Sequence, residues 1–280
     1  MPLDVVFLVL VGAAFHATWN ALVKSGSDKQ LDSSMIALGA SVTSLIALPF
    51  LPMTLPHPEA WPYILASICI HFTYYQLVGA AYRFGDIGLV YPLMRGVAPL
   101  IVATTSGTVL AETLSPAMYA GVFAICAGVL TLAFEARSGN MKAAGIALLN
   151  AFVIAAYTYV DGLGARAAGD PITYTIWICI LPPLLLFSFA FFMRGVSPVL
   201  GHVRRTWRRG LFGGAGSVAS YGLALYAMTK APIAAVAALR ETSILFALII
   251  SVVFLKEKAS IWRYIAGGVI ALGALIMKLG

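Results

Sequence analysis

The sequence predicts an all-α integral membrane protein: ten transmembrane helices arranged as two inverted five-helix repeats. Three observations carry that prediction. Of the 280 residues, 61% are hydrophobic and 10% charged, with a mean hydropathy of +0.93; a soluble domain carries about 25% charged residues. The apolar residues fall into ten long continuous runs, unlike the short alternating segments of a membrane β-barrel. The second half repeats the first at a fixed offset. This composition excludes a secreted disulfide domain, a disordered chain and a nucleic-acid binder, and makes the lipid bilayer the solvent.

The expected spans are residues 3–23, 32–52, 60–82, 87–110, 116–134, 142–163, 171–192, 209–229, 233–255 and 260–278. The first begins Met1-Pro-Leu-Asp4, without the positive charge of a signal peptide, and is too long for one; a retained helix is expected. Lys24-Ser-Gly-Ser-Asp-Lys29 reads as a polar turn. Trp61-Pro62 and Ser115-Pro116 are helix starts, the latter an N-cap with proline at the first helical position. Ser197–Arg209 is expected to be the longest connection and is the most basic. Cys69, Cys126 and Cys179 lie singly in apolar runs, without metal or disulfide spacing, and each reads as a buried small hydrophobe. The stripes Ala120, Ala124, Gly128 and Ala143, Ala147, Ala151, Ala155 read as close helix packing.

Basic residues set the expected orientation. Odd-numbered connections hold 13 lysines and arginines, and the other side holds Arg166, Lys230 and Lys278. Odd connections are therefore expected in the cytoplasm and both termini outside.

An offset of 145 lays Arg95 on Arg240, Leu110 on Leu255, Glu112 on Glu257, Ser115 on Ser260, Tyr119 on Tyr264 and Gly128 on Gly273. Near an offset of 138, span one overlies span six, with Trp19 on Tyr157. Each half, 1–138 and 139–280, thus holds five spans. An odd number inverts the second half relative to the first, an arrangement typical of secondary transporters with a midplane site.

The segments Leu110-Ala-Glu112-Thr-Leu-Ser115, Leu255-Lys-Glu257-Lys-Ala-Ser260 and Ala14-Phe-His-Ala-Thr-Trp-Asn-Ala-Leu-Val-Lys24 resemble those of the drug/metabolite transporter superfamily, EamA type. The resemblance extends over essentially the whole chain. It implies a bacterial inner-membrane permease, often an exporter of amino acids or other small metabolites. Arginines at both 95 and 240 go beyond that family pattern and point to an anionic or amino-acid-like substrate.

Charged groups at membrane depth are costly and usually face a cavity or one another. Arg95 lies about 12 Å into span four at 1.5 Å per residue, and Arg240 matches it in span nine. Substrate contact, an ion pair and snorkelling remain open readings for both. Glu241 points about 100° away from Arg240 around the helix and is expected to pair elsewhere. Tyr91 lies one turn before Arg95, and Pro92 and Pro99 are expected to kink that span. Polar stripes come from span one (His16, Asn20, Lys24, beside Trp19), span three (His71, Tyr74, Tyr75, Gln76), span six (Asn150, Tyr157, Asp161) and span eight (Ser217, Tyr221). The expected substrate contacts are Arg95, Arg240, Trp19, Asn20, Tyr75, Tyr91, Tyr157 and Tyr221. Interhelical hydrogen bonds and lipid-interface anchoring are the structural alternatives. His16, His71, Asp161 and Glu241 are the candidates for a proton-coupled step. Glu112 and Glu257 read either as gates or as plain helix ends in water.

No cofactor or metal is expected. Gly214-Ala-Gly216-Ser-Val-Ala219 spells a dinucleotide fingerprint but sits in an apolar span without a preceding strand. No phosphate loop, nucleophile elbow or acidic pair is present. The function expected is alternating-access transport of a small molecule. A membrane enzyme or a non-transporting assembly partner is the alternative; neither calls for a repeat, and the enzyme would have only Asp161 and Glu241 at depth. Monomer and homodimer are both open.

Overall fold

The structure, a computed structural model, describes residues 1–24, 28–51, 55–85, 87–135, 140–254, 256 and 259–279. Among them every regular element is helical. Ten helical segments are long and apolar enough to cross a membrane, and the chain is a multi-pass membrane protein. The first six spans are α1 (Leu3–Lys24), α2 (Lys29–Ala47), α3 (Trp61–Phe84), α4 (Ile87–Val109), α5 (Pro116–Thr131) and α6 (Met141–Ala167). The seventh is α7 (Pro171–Ile180) followed by α8 (Pro182–Arg194), and the eighth is α9 (Val196–Met228). The ninth joins α10 (Ile233–Leu239) to α11 (Ser243–Ile249), and the tenth is α12 (Ile261–Leu279).

Side-chain caps start the helices where the sequence signals them. Asp28 accepts from Leu31 N, Ser115 from Met118 N, Asn140 from Ala143 N and Asp170 from Thr173 N, at α2, α5, α6 and α7. Each carboxylate, hydroxyl or amide oxygen satisfies a donor that the first helical turn leaves unpaired.

Two expectations are corrected. The basic stretch Ser197–Arg209 is helix, not loop, and lengthens α9 to 33 residues. It is amphipathic: Val199 and His202 are buried while Arg204, Arg205, Arg208 and Arg209 are exposed, so packing on one face holds the helix although charge takes the other out of the lipid. The seventh span breaks at Leu181, because Pro182 and Pro183 lack the N–H groups that would continue the ladder. Pro92 and Pro99 lie inside α4 without ending it. The ninth span is interrupted where Arg240–Thr242 forms a 3₁₀ turn and Thr242 Oγ1 donates to Leu239 O at 2.7 Å. That hydroxyl takes a carbonyl the α-helix would otherwise use.

Packing brings the halves together. α1 and α2 lie on α9, α3 and α4 lie on α6, and α5 lies on α12. Backbones approach closely at two crossings. A Cβ on Gly39 of α2 would stand 1.9 Å from the Gly210 carbonyl oxygen, and one on Gly214 would stand 2.1 Å from Ala40 N. Gly214 of the apparent dinucleotide fingerprint is thus part of a helix seam. At the other crossing a Cβ on Gly121 would meet Gly273 O at 2.7 Å, and one on Gly273 would meet Gly121 O at 2.8 Å. The contact stripe of α5 is Gly121, Ile125 and Gly128: Gly128 packs as expected, while Gly121 and Ile125 take the places expected of Ala120, which is exposed, and Ala124, which is half-buried. Ala143, Ala147, Ala151 and Ala155 are buried as expected. Cys126 is buried, Cys179 is half-buried, and Cys69 is exposed on the outer face of α3, against expectation.

Two pairs of residues 145 positions apart share local structure. Among the described residues Ala111 and Lys256 are the non-glycine residues with positive φ, both at 53°, and they stand 145 positions apart in the two Leu-x-Glu segments. Ser115 Oγ accepts from Met118 N at 3.2 Å, and Ser260 Oγ accepts from Arg263 N at 3.3 Å. Leu255 and Glu257 themselves lie outside the described residues, as do Ser25, Gly26 and Ser27 of the polar turn and the side chains of Lys24 and Lys29.

Candidate functional site

Two neighbouring cavities lie among the helices. An inner chamber of about 110 Å³ is lined by His16 and Trp19 of α1, His71 and Tyr74 of α3, Arg95 of α4, Tyr157 of α6, Tyr221 of α9 and Arg240. A vestibule of about 530 Å³ shares Tyr75 with it and also carries Asn20, Tyr82 and Tyr91. The vestibule lies toward the odd-numbered connections: its wall includes Ser33 and Ser34 near the start of α2, Arg83 near the end of α3, Arg194 at the end of α8, and Ser251. Arg95 and Arg240, 145 positions apart, therefore share one chamber, as do Trp19 and Tyr157.

The arginines differ in their surroundings. Arg95 is buried and held by Glu241: Nε donates to Oε2 at 3.0 Å, and Nη2 stands 2.8 Å from Oε1. Glu241 is itself 3% exposed, so both charges are out of water and neutralise one another. Glu241 thus pairs away from Arg240. Arg240 stacks over the Tyr221 ring, its guanidinium carbon 5.0 Å from the centroid, and no carboxylate among the described residues lies within 4.0 Å of it. The buried indole N–H of Trp19 has no hydrogen-bond partner among the described residues.

Aromatic rings fill the chamber's far wall. His71 stacks on Tyr157 at 4.5 Å and meets Tyr221 edge-on at 6.0 Å. Tyr74 packs against Tyr157 and Tyr75. Behind this layer lies Asp161, fully buried, accepting from Tyr174 OH at 3.0 Å and from Tyr221 OH. Of the residues expected at the site, Asp161 and Glu241 are a layer behind the lining, and Asn20 and Tyr91 are in the vestibule. Asn20 Nδ2 donates to His16 O at 2.8 Å. Tyr174 was not foreseen, although the short turn between α6 and α7 brings it against Asp161 in an antiparallel pair. Cys179 also lines the chamber, where its apolar run had read only as core.

On the side of the even-numbered connections a polar latch closes the bundle. Arg166 Nη2 donates to Glu112 Oε1 at 2.5 Å and to Ala231 O at 3.2 Å, and its Nε donates to Met228 O at 2.8 Å. Glu112 Oε2 accepts from Ile233 N at 2.9 Å. Glu112 is therefore no plain solvated helix end. It ties the end of α4 to α6 and to the start of α10.

Residues 141–279 match the EamA-like transporter family. The chain belongs to this family, within the drug/metabolite transporter superfamily. A solved structure described only as "Crystal structure of protein" superposes on this EamA-like chain with a TM-score of 0.77. It is 18% identical, over 99% of this chain and 97% of its own, a likeness that speaks to fold. No curated protein matches. Membership of the EamA-like family makes the chain a membrane transporter of small molecules.

Proposed function

We propose that this protein is a secondary transporter that exports a small anionic or amino-acid-like metabolite across the bacterial inner membrane by alternating access. The two halves, 1–138 and 139–280, act as inverted repeats around the inner chamber. Exchange of the halves turns the α1–α9 contact into α6–α3 and maps α5–α12 onto itself, a pairing that supports a two-fold relation in the membrane plane. With the odd connections in the cytoplasm and both termini outside, the vestibule faces inward and the Glu112–Arg166 latch shuts the outer side.

The observation that carries the substrate reading is Arg240. Arg95 is already neutralised by Glu241, whereas Arg240 presents its guanidinium to the chamber beside Tyr221. A guanidinium fork matches a carboxylate or phosphate, and the unpartnered indole N–H of Trp19 is a further donor on the chamber wall. Tyr74, Tyr157 and Tyr221 enclose the remainder.

The test is ligand-induced thermal stabilisation of the purified protein across amino acids, carboxylates, phosphonates and cationic drugs. A ligand that binds only the folded form raises the melting temperature. An anion should do so, and the rise should vanish in Arg240→Ala. Stabilisation by cations or neutral compounds that survives in both Arg240→Ala and Arg95→Ala would overturn the anionic reading.

A further inference from the structure

We propose that Asp161, acting with His71, is the proton-binding site of this transporter, and that the Tyr221 hydroxyl links it to the substrate chamber. The role in transport rests on the alternating-access reading above; the protonation itself does not. Four ionisable groups near the chamber are candidates, and the geometry separates them. Glu241 is held at two points by Arg95, so a proton there would leave a buried guanidinium unpaired. His16 lies edge-on to Trp19 in the chamber that also holds both arginines, a setting hostile to a further positive charge. Asp161 differs: it is fully buried and forms no ion pair with any lysine or arginine among the described residues.

The groups facing Asp161 come from three helices besides its own. From α7 comes Tyr174 OH, 3.0 Å from Oδ1, and Cys179 of the same helix lines the chamber. From α9 comes Tyr221 OH on Oδ2. From α3 comes His71, its Nε2 3.9 Å from Oδ2. Tyr157 lies on α6 itself, one turn away, and Arg240 stands beyond the Tyr221 ring. His71 Nδ1 lies 3.0 Å from the Ser67 carbonyl oxygen, which only accepts. The Ser67 hydroxyl also lies 3.1 Å from Nδ1; in the tautomer whose Nδ1 donates to the Ser67 carbonyl, Nε2 presents its lone pair toward Asp161 until it is protonated.

One proton thus has two nearby acceptors, a carboxylate oxygen and an imidazole nitrogen 3.9 Å apart. The ionised carboxylate is served by two phenol O–H donors. When Oδ2 takes a proton it becomes a donor, and Tyr221 no longer needs to point its hydrogen at Asp161. That hydrogen is released toward the chamber where Arg240 stacks on the same ring. Proton occupancy and substrate contact are coupled through one hydroxyl. The site suits a proton and not a metal cation, which needs a cage of oxygen lone pairs. Both phenols turn hydrogens toward the carboxylate, and no metal-ligating cluster of three groups occurs among the described residues.

The test uses the full chain in lipid nanodiscs without any substrate, titrated with acid and base and read by infrared difference spectroscopy. The wild type should show the carbonyl stretch of a buried protonated carboxyl group. That band should be lost in Asp161→Asn, and its midpoint should move in His71→Gln. A wild type without such a band, or a band retained in Asp161→Asn, would overturn the proposal. Should Asp161→Asn fail to fold, Tyr221→Phe decides: a moved midpoint supports the site and an unmoved one sinks it. Failure of the anion panel leaves this titration intact, so the two readings fail separately.

Discussion

Arg95 and Glu241 stand 146 positions apart and form a buried ion pair that joins α4 of the first half to the 3₁₀ turn of the second. The contact lies at the chamber wall, so one interaction both fastens the halves and removes one of two arginine charges from the substrate's view. Exposure of the two side chains is 7% and 4%, so solvent does little to replace a missing partner.

Removing one member should therefore cost more than the pair contributes. Arg95→Met or Glu241→Met leaves an uncompensated buried charge, with an expected loss of about 3–5 kcal/mol. The double variant should lose far less than the sum. Denaturation of the four proteins in one detergent measures the coupling. Additive losses would mean that the two side chains do not meet in the folded protein.

The Glu112–Arg166 latch predicts which side of the membrane reaches the chamber. Cys179 lines the chamber and Cys126 is fully buried, so Cys69→Ala leaves Cys179 as the accessible thiol. A membrane-impermeant thiol reagent should modify Cys179 from the side of the odd connections. In Glu112→Gln, loss of the charged bond to Arg166 should raise modification from the opposite side by about tenfold, the equivalent of 1.4 kcal/mol. Unchanged sidedness would remove the latch from gating.

Much of this arrangement is legible in the sequence, for identifiable reasons. Spans register because hydrocarbon demands long apolar runs, and caps register because Ser115, Asn140 and Asp170 carry the oxygen that a helix start needs. The extension of α9 hides because Arg204, Arg205, Arg208 and Arg209 depress hydropathy, while its buried face rests on Val199 and His202 alone. The turn at Arg240 hides because no proline marks it; a threonine hydroxyl makes it. The Arg95–Glu241 contact crosses between halves, and spacing along one helix speaks only to neighbours on that helix. Tyr174 escapes notice for the same reason: its partner is on the adjacent helix.

At the odd-connection side, Asp28 caps α2 and accepts a hydrogen bond from Arg194 at the end of α8. Partial burial raises its pKa, but the Leu31 N–H, the Arg194 guanidinium and nearby His202 outweigh that and hold the carboxyl below its ordinary value of 3.8. The folded pKa is the lower one, so the stabilisation is present above the unfolded value and lost as pH falls through the folded one. Asp28→Asn keeps the cap oxygen and removes the charge. It should lower the melting temperature at neutral pH, and the difference from wild type should close only as the pH drops below 3.8. A difference independent of pH would show that the charge plays no part.

The left-handed turns after the fourth and ninth spans yield the most direct test of the repeat's local geometry. Ala111 and Lys256 both adopt φ 53°, where a Cβ crowds the following carbonyl at a cost of about 1–2 kcal/mol. Glycine has no Cβ to crowd, but it adds freedom to the unfolded chain and so returns part of that gain. Ala111→Gly should raise stability by about 0.5–1 kcal/mol, and Lys256→Gly by a similar amount. Neither substitution removes a side chain of the latch, so Glu112 and Arg166 keep their bond. Thermal unfolding of both variants and their combination reads the effect; the sites follow the fourth and ninth spans, at opposite ends of the bundle, and their gains should add. Loss of stability in both would mean that neither turn is left-handed, and a gain in one alone would separate the two segments that the 145-residue offset brings together.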